Sequence, residues 1–280
     1  MNRRTCTTLR NNLLILLLTA LPSLAQHVIV LNPPGSIYTT ASALNNKGIT
    51  VGSFEYAGQQ LQGFAYLSSN NTYKSIQYPG ADYTIALGVN DSNTVSGTFA
   101  NSDGVNHGFF LQNGTFRQYD VPGFSGTTII GINKAGDFAG TVGSDGNYQG
   151  FVSVGGVIST FVVDGQPTDG YGINSSGQSV GFFVNKELTG THGFLRDSSG
   201  ETTQIDYPGS LSTACTGIND SGVITGFYVD QSANNRGFVL VGGKFQTLGA
   251  PYIAGINNQN VVVGSGNSNS GETFGFIASR

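Results

Sequence analysis

Residues 84–123 read TIALGVNDSNTVSGTFANSDGVNHGFFLQNGTFRQYDVPG. Thr84-Ile85-Ala86-Leu87-Gly88-Val89 is a short apolar run, stopped by Asn90-Asp91-Ser92-Asn93, four residues of tight-turn chemistry. Val95-Ser96-Gly97-Thr98-Phe99 alternates, and a polar loop follows. Gly108-Phe109-Phe110-Leu111 begins a third run, turned by Gln112-Asn113-Gly114. The segment Thr115-Phe116-Arg117-Gln118-Tyr119-Asp120 alternates again and stops at Pro122-Gly123. Four short antiparallel strands in roughly 40 residues are the pattern of a propeller blade.

The unit recurs. A Gly/Leu-Ile/Val-Asn tripeptide, with small variations, places Asn at 45, 90, 133, 174, 219 and 257, at spacings of 45, 43, 41, 45 and 38 residues. A Gly-Phe pair alternates with it, at Phe64, Phe109, Phe151, Phe194, Phe238 and Phe276. The sixth unit stops after its third strand, at Phe276-Ile277-Ala278. An orphan strand, His27-Val28-Ile29-Val30-Leu31, precedes the first unit and ends at Pro33-Pro34-Gly35, as fourth strands do elsewhere (Ile205-Asp206-Tyr207-Pro208-Gly209). A spare strand at one end and a missing one at the other predict an all-β, six-bladed β-propeller of four-stranded antiparallel blades, the last blade completed by the N-terminal strand. An open β-solenoid would need neither, and would leave free edges.

The composition agrees. Glycine fills 42 of 280 positions, and charged residues are 10%, against roughly 25% in an ordinary soluble domain. So much glycine, with so few good helix formers, excludes a helical bundle. The 38% hydrophobic content excludes disorder. Gly52, Gly97, Gly140, Gly181, Gly226 and Gly264 fall inside second strands, where small residues let converging backbones approach. The Gly-Phe rings, with Phe54, Phe99, Phe183 and Tyr228, are expected to pack between blades.

Residues 1–25 read as a secretory signal. Arg3, Arg4 and Arg10 precede an apolar core from Leu13 to Leu21, and Ser23-Leu24-Ala25 puts small residues before a cut at Gln26. That core is about half the ~20 residues needed to span a bilayer. Residues 26–280 are then one domain of six repeats of about 42 residues, with no transmembrane segment, directed to the extracellular space, periplasm or cell surface. Removal of the signal takes the formal charge from −4 to −7. An acidic chain argues against nucleic acid as a partner. Cys6 leaves with the signal and Cys215 remains alone, so no disulfide framework is expected.

The Asn-Asp-x-Gly turn, with His107-Gly108-Phe109 and His192-Gly193-Phe194, resembles the bacterial extracellular repeats of the HAF family. The similarity covers all six units, although Gln62, Gln149, Arg236 and Phe274 replace the His in the others. The resemblance implies a bacterial secreted or surface protein and no particular activity.

Residues present in every copy serve the blade, so function must lie where copies differ or on a face that all share. The repeated Asn residues bond their own turns on this reading. His107 and His192 stand two blades apart, and no HxH, HExxH or CxxC spacing exists, so neither a metal site nor a cofactor is expected. Cys215 reads as a small core residue, and no GxSxG nucleophile motif appears. The loops between second and third strands each carry an acid: Glu55, Asp103, Asp145, Glu187, Asp230 and Glu272. They share a face with the inter-blade connections, which add Tyr38, Asp82, Tyr83, Phe124, Asp169, Tyr171 and Tyr252. An acidic, aromatic face suits a non-enzymatic, monomeric binding or interaction module for carbohydrate, another extracellular polymer or a surface protein. The alternative is a carbohydrate-active hydrolase or lyase with paired carboxylates at the propeller mouth, Asp82 and Asp169 being the candidates.

Overall fold

The computed structural model describes residues 27–143, 147–187, 189–268 and 271–279. The signal sequence and Asp145 lie outside the described residues. β1 (His27–Leu31) is followed by β2 (Tyr38–Leu44), β3 (Ile49–Glu55), β4 (Gln62–Leu67) and β5 (Thr72–Ile76). Next come β6 (Tyr83–Val89), β7 (Val95–Ala100), β8 (Asn106–Gln112) and β9 (Thr115–Tyr119). The third set is β10 (Thr127–Ile132), β11 (Phe138–Val142), β12 (Gln149–Val154) and β13 (Val157–Phe161). The fourth is β14 (Thr168–Ile173), β15 (Ser179–Val184), β16 (Thr191–Arg196) and β17 (Thr202–Ile205). The fifth is β18 (Ser212–Ile218), β19 (Ile224–Val229), β20 (Asn235–Val241) and β21 (Lys244–Thr247). Then β22 (Tyr252–Ile256), β23 (Val262–Asn267) and β24 (Thr273–Ser279) end the series.

The protein is all-β. β6–β9, β10–β13, β14–β17 and β18–β21 are four separate four-stranded antiparallel meanders. The remaining eight strands form one mixed sheet, in which β2–β5 and β22–β24 with β1 are two such meanders. A single parallel bridge, Tyr38 to Thr273, joins these halves. The orphan strand lands where its sequence placed it: β1 runs antiparallel to β24, from His27 opposite Ser279 to Leu31 opposite Gly275. Leu31 is fully buried there, beside Val263 and Phe64.

Each first strand is irregular. The register with the second strand shifts at Ala41/Ala43, Ala86/Gly88, Ile129/Gly131, Gly170/Ile173, Cys215/Gly217 and Ile253/Gly255. An extra residue at the same place in each unit bends the strand; the sequence reading had no signal for it. Glycines inside the second strands answer a closer approach than the expected one. A Cβ on Gly226 would stand 2.0 Å from the Ala214 carbonyl oxygen and 2.8 Å from the Phe238 ring. The crowding therefore comes from the unit's own first and third strands. Approach between units falls on other glycines, such as Gly131, whose Cβ would meet the Tyr171 carbonyl oxygen at 2.5 Å.

The six Gly-Phe rings are all buried, none more than 1% exposed. They sit in clusters that join consecutive units, as the sequence pattern anticipates: Phe109 with Val51 and Ile76, Phe276 with Val223 and Val239. At about 25 cal/mol per Å² of apolar area, such rings are the main adhesive between sheets.

Candidate functional site

In an antiparallel meander the turns after the first and third strands lie at one end, and the loops after the second and fourth at the other. The molecule thus has a turn face and a loop face.

The turn face is organised by the repeated Asn. In each turn the third residue after the Asn has positive φ, and it is Gly48, Asn93, Gly136, Gly177, Gly222 or Asn260, the two residue types that adopt this conformation most readily. The Asn side-chain oxygen accepts backbone N–H groups of its own turn, as Asn90 Oδ1 does from Ser92 and Thr94, both at 3.0 Å. Its amide then donates outward to the next unit. Asn45 Nδ2 donates to the Asn90 carbonyl at 3.0 Å, Asn90 to Asn133 at 3.1 Å, and Asn133 to Asn174 at 3.0 Å. Asn174 donates to Asn219 at 3.3 Å, Asn219 to Asn257 at 3.1 Å, and Asn257 back to Asn45 at 3.2 Å. The cycle closes on itself. The expected own-turn bonds are present, and the inter-unit donation is an additional role that a single turn could not reveal. Side chains that are 2–6% exposed with both ends bonded meet the requirement on buried polar groups.

Within this ring the next residues, Asn46, Asp91, Lys134, Ser175, Asp220 and Asn258, line an axial cavity of about 100 Å³. Asp91 accepts from the Asn46 backbone at 2.9 Å and its amide at 2.8 Å. Asp220 accepts from the Ser175 backbone at 2.8 Å and the Asn258 amide at 2.7 Å. Partial burial opposes its charge, but these bonds and Lys134 hold the Asp220 carboxyl below the usual range.

On the loop face the expected acids are mostly engaged at home. Asp230 accepts backbone N–H bonds from Asn234 and Ser232 and pairs with Arg236 Nε at 2.9 Å. These contacts, the Asn234 bond first, hold its carboxyl down at about 2. Asp103 accepts from the Val105 N–H and from His107, which lower it likewise. His107 is bonded on both sides, to Asp120 at Nδ1 (3.1 Å) and Asp103 at Nε2 (3.3 Å). Partial burial disfavours its charged form, but the bonds to Asp120 and Asp103 outweigh this and raise its pKa. His192 repeats the first contact with Asp206, 3.0 Å away. Each histidine is thus closed within its own unit. Glu55 ends β3 opposite Tyr38, Glu187 is exposed, and Glu272 closes a loop with its carbonyl on the Ser268 N–H.

The aromatics divide. Ile37, Tyr38, Tyr148, Leu211 and Tyr252 are 36–50% exposed around this face. Burial, then Glu55, raises the Tyr38 phenol. The Tyr83 hydroxyl donates to Asn106 Oδ1, and Asn235 Nδ2 donates to the Tyr252 oxygen. Phe124 packs against the core. Tyr171, at the register shift of β14, is partly buried: it packs on Phe182 at 5.5 Å, and burial pushes its phenol to about 12. Asp169, two residues earlier, is half-buried. Desolvation raises its carboxyl, partly offset by a 3.0 Å bond from Thr141 Oγ1. Asp82, exposed two units away, is not among the groups acting on Asp169.

Among the described residues no group of three or more His, Cys, Asp or Glu is arranged to hold a metal, and no helix is long and apolar enough to cross a membrane. Cys215 is fully buried, and burial pushes its thiol well above the ordinary range. Two larger clefts open on the turn face rather than the loop face. One of about 450 Å³ lies between β6–β9 and β10–β13; the other, about 580 Å³, lies between β18–β21 and β22–β24. The sequence reading did not anticipate them, because their walls are assembled from adjacent units.

No protein-family model matches the sequence, and no curated protein does. Solved structures match the fold. A protein assigned as TolB from Agrobacterium tumefaciens is 12% identical with a TM-score of 0.57, covering 86% of this chain and 90% of that one. The Aleuria aurantia lectin, solved with α-methyl-L-fucoside, is 8% identical with a TM-score of 0.53, over 89% and 93%. A protein assigned as a gluconolactonase is 12% identical with a TM-score of 0.53, over 89% and 94%. All three are β-propellers, so the likeness shows a propeller fold. Their activities differ.

Proposed function

We propose that this chain is a six-bladed propeller of the HAF-repeat kind, exported by its N-terminal signal, which acts as a monomeric binding module for extracellular carbohydrate through its loop face. The six-membered Asn cycle and the pairing of β1 with β24 support the blade number and the closure. The observation that carries the function is the contrast on the loop face. Its acids, Asp103 and Asp230 above all, are spent on their own loops, while Tyr38, Tyr252, Ile37 and Leu211 stand open to solvent. Exposed rings beside fixed polar loops offer stacking surface to sugar rings without aiming two carboxylates at one bond. A fucose-binding lectin among the similar folds is consistent with this reading. A screen of neutral and acidic glycans by thermal shift tests it. A shift that is lost in Tyr38→Ala with Tyr252→Ala supports the loop face, and no shift with any glycan overturns the carbohydrate assignment.

One observation favours a catalytic reading instead. Asp169 is a half-buried carboxyl raised by desolvation, beside the partly buried Tyr171, an environment that suits a general acid. Polysaccharide turnover abolished by Asp169→Asn would replace the binding module with an enzyme.

A further inference from the structure

The two large clefts occupy equivalent places in the repeat, so their differences are not imposed by the scaffold. Phe110 and Arg117 face each other across β8 and β9, as Val239 and Gln246 do across β20 and β21. Lys134 follows the ring Asn133 as Asn258 follows Asn257. The cleft between the fifth and last units is thus walled by Val223, Val239, Val241, Leu248, Val261 and Val262, and among the described residues no charged side chain lines it. The cleft between β6–β9 and β10–β13 holds two cations instead, Arg117 and Lys134, above Phe110 and Phe138. Ser92, Thr94, Gln112 and Thr115 complete its rim, and no carboxylate lines it.

The guanidinium of Arg117 has no acidic partner among the described residues. Its carbon lies 5.0 Å from the Phe110 ring centre and 5.7 Å from that of Tyr119. The guanidinium thus rests against two rings, while Arg117 itself is exposed, so its N–H groups can reach a bidentate anion in the cleft. Lys134 lies on the boundary between this cleft and the axial cavity, where its charge also reaches Asp220. It supplies the second, more mobile positive group. Placing both cations in one cleft of an acidic chain with only 12 Lys and Arg concentrates positive field there.

We infer that this cleft is an anion-selective saccharide site, binding a carboxylate-bearing sugar. Arg117 takes the carboxylate as a bidentate pair, and Lys134 adds charge. The neutral hydroxyl and amide rim meets the sugar hydroxyls. A cleft of about 450 Å³ falls in the size range of small-molecule sites. Three rim hydroxyls, Ser92, Thr94 and Thr115, favour a uronate over an acidic peptide, because they match the many hydroxyls of a sugar. This site is separate from the loop face and does not depend on the reading of that face.

The test is a calorimetric titration of the secreted protein with tri-galacturonate, a neutral galactose trisaccharide and a tri-glutamate peptide, at low and moderate salt. Binding of tri-galacturonate alone, weakened by salt, is expected. Arg117→Ala should weaken it at least tenfold, Arg117→Lys should restore part of it, and Lys134→Gln should weaken it less than Arg117→Ala does. Thermal melts identify any variant that has lost its fold, and a double substitution Tyr38→Ala with Tyr252→Ala should leave this affinity unchanged. Equal binding of the neutral trisaccharide, or an Arg117→Ala protein that is folded and binds as before, overturns the proposal. Equal or tighter binding of tri-glutamate overturns the saccharide assignment and assigns the cleft to acidic peptides.

Discussion

The turn face and the loop face are made by the same six repeats and obey opposite rules. On the turn face one residue type, Asn, does the same two jobs six times, and the bonds run from unit to unit until they return to Asn45. On the loop face Asp103 and Asp230 bond back into the loops that made them, and among the described residues the bonds that cross units, such as Thr141 to Asp169 and Asn235 to Tyr252, form no closed cycle. Cooperative, cyclic bonding suits a scaffold, because weakening one member loosens two neighbours. Local bonding suits recognition, because a loop can change without disturbing the next. The two clefts show a mixture: their geometry is inherited from the repeat, and their chemistry belongs to individual residues.

Substitutions should break this comparison in proportion to how many units they reach. The largest effect is expected at the second-strand glycines. In Gly226→Val the new Cβ would lie 2.0 Å from the Ala214 carbonyl oxygen, a contact that backbone must move to relieve. The variant should yield no folded protein, as read by circular dichroism of the purified protein. Asn133→Ala comes next. It orphans the Asp137 N–H and leaves the Asn174 carbonyl without its donor. At about 1–3 kcal/mol for each buried group left unpaired, a loss of about 3 kcal/mol is expected in denaturant unfolding. A loss under about 1 kcal/mol would show the cycle to be incidental.

The loop face should respond weakly and with pH. Asp230 is held at about 2 in the folded protein, below its unfolded value of about 3.9. Its contribution is therefore present above about pH 4 and lost as pH falls towards 2. Asp230→Asn should lower stability at pH 7, change little near pH 2, and flatten the acid limb of the profile between them. His107 works in the opposite direction. Its folded pKa is raised, so its contribution is present below the unfolded value of about 6.5 and is lost as pH rises through the higher folded value. His107→Gln should remove that loss, as measured by urea midpoints between pH 5 and 8. Smallest of all, Tyr38→Ala should alter stability by no more than about 0.5 kcal/mol while removing any loop-face glycan shift.

Much of this architecture was legible because repetition acts as an internal alignment. The alternation of Asn and Gly-Phe landmarks located the strands from His27 to Ser279, and the orphan strand announced its partner. The bulge in every first strand left no such trace: Ser42, Leu87, Ile130 and Thr216 share no side-chain property that a periodic pattern could register. The site was less legible for a physical reason. Acidity and aromaticity were read from chain position, but whether Asp230 is free or Tyr171 is open depends on which neighbour each meets. Arg117 drew no attention because its significance lies in Lys134, which follows it by 17 residues and belongs to another unit. The glycines were correctly marked as close approaches, although the approaching atoms proved to belong to the same unit.

The central claim is that the N-terminal strand closes the ring by pairing with the last one. Ile29 and Ile277 face each other in that pair, close enough for a bridge between antiparallel neighbours. The protein carrying Ile29→Cys and Ile277→Cys should form the disulfide under oxidising conditions, run as a monomer, and melt at a higher temperature than its reduced form. Free thiols at both positions in a folded, oxidised sample, or cross-linked dimers in place of monomers, would contradict the closure.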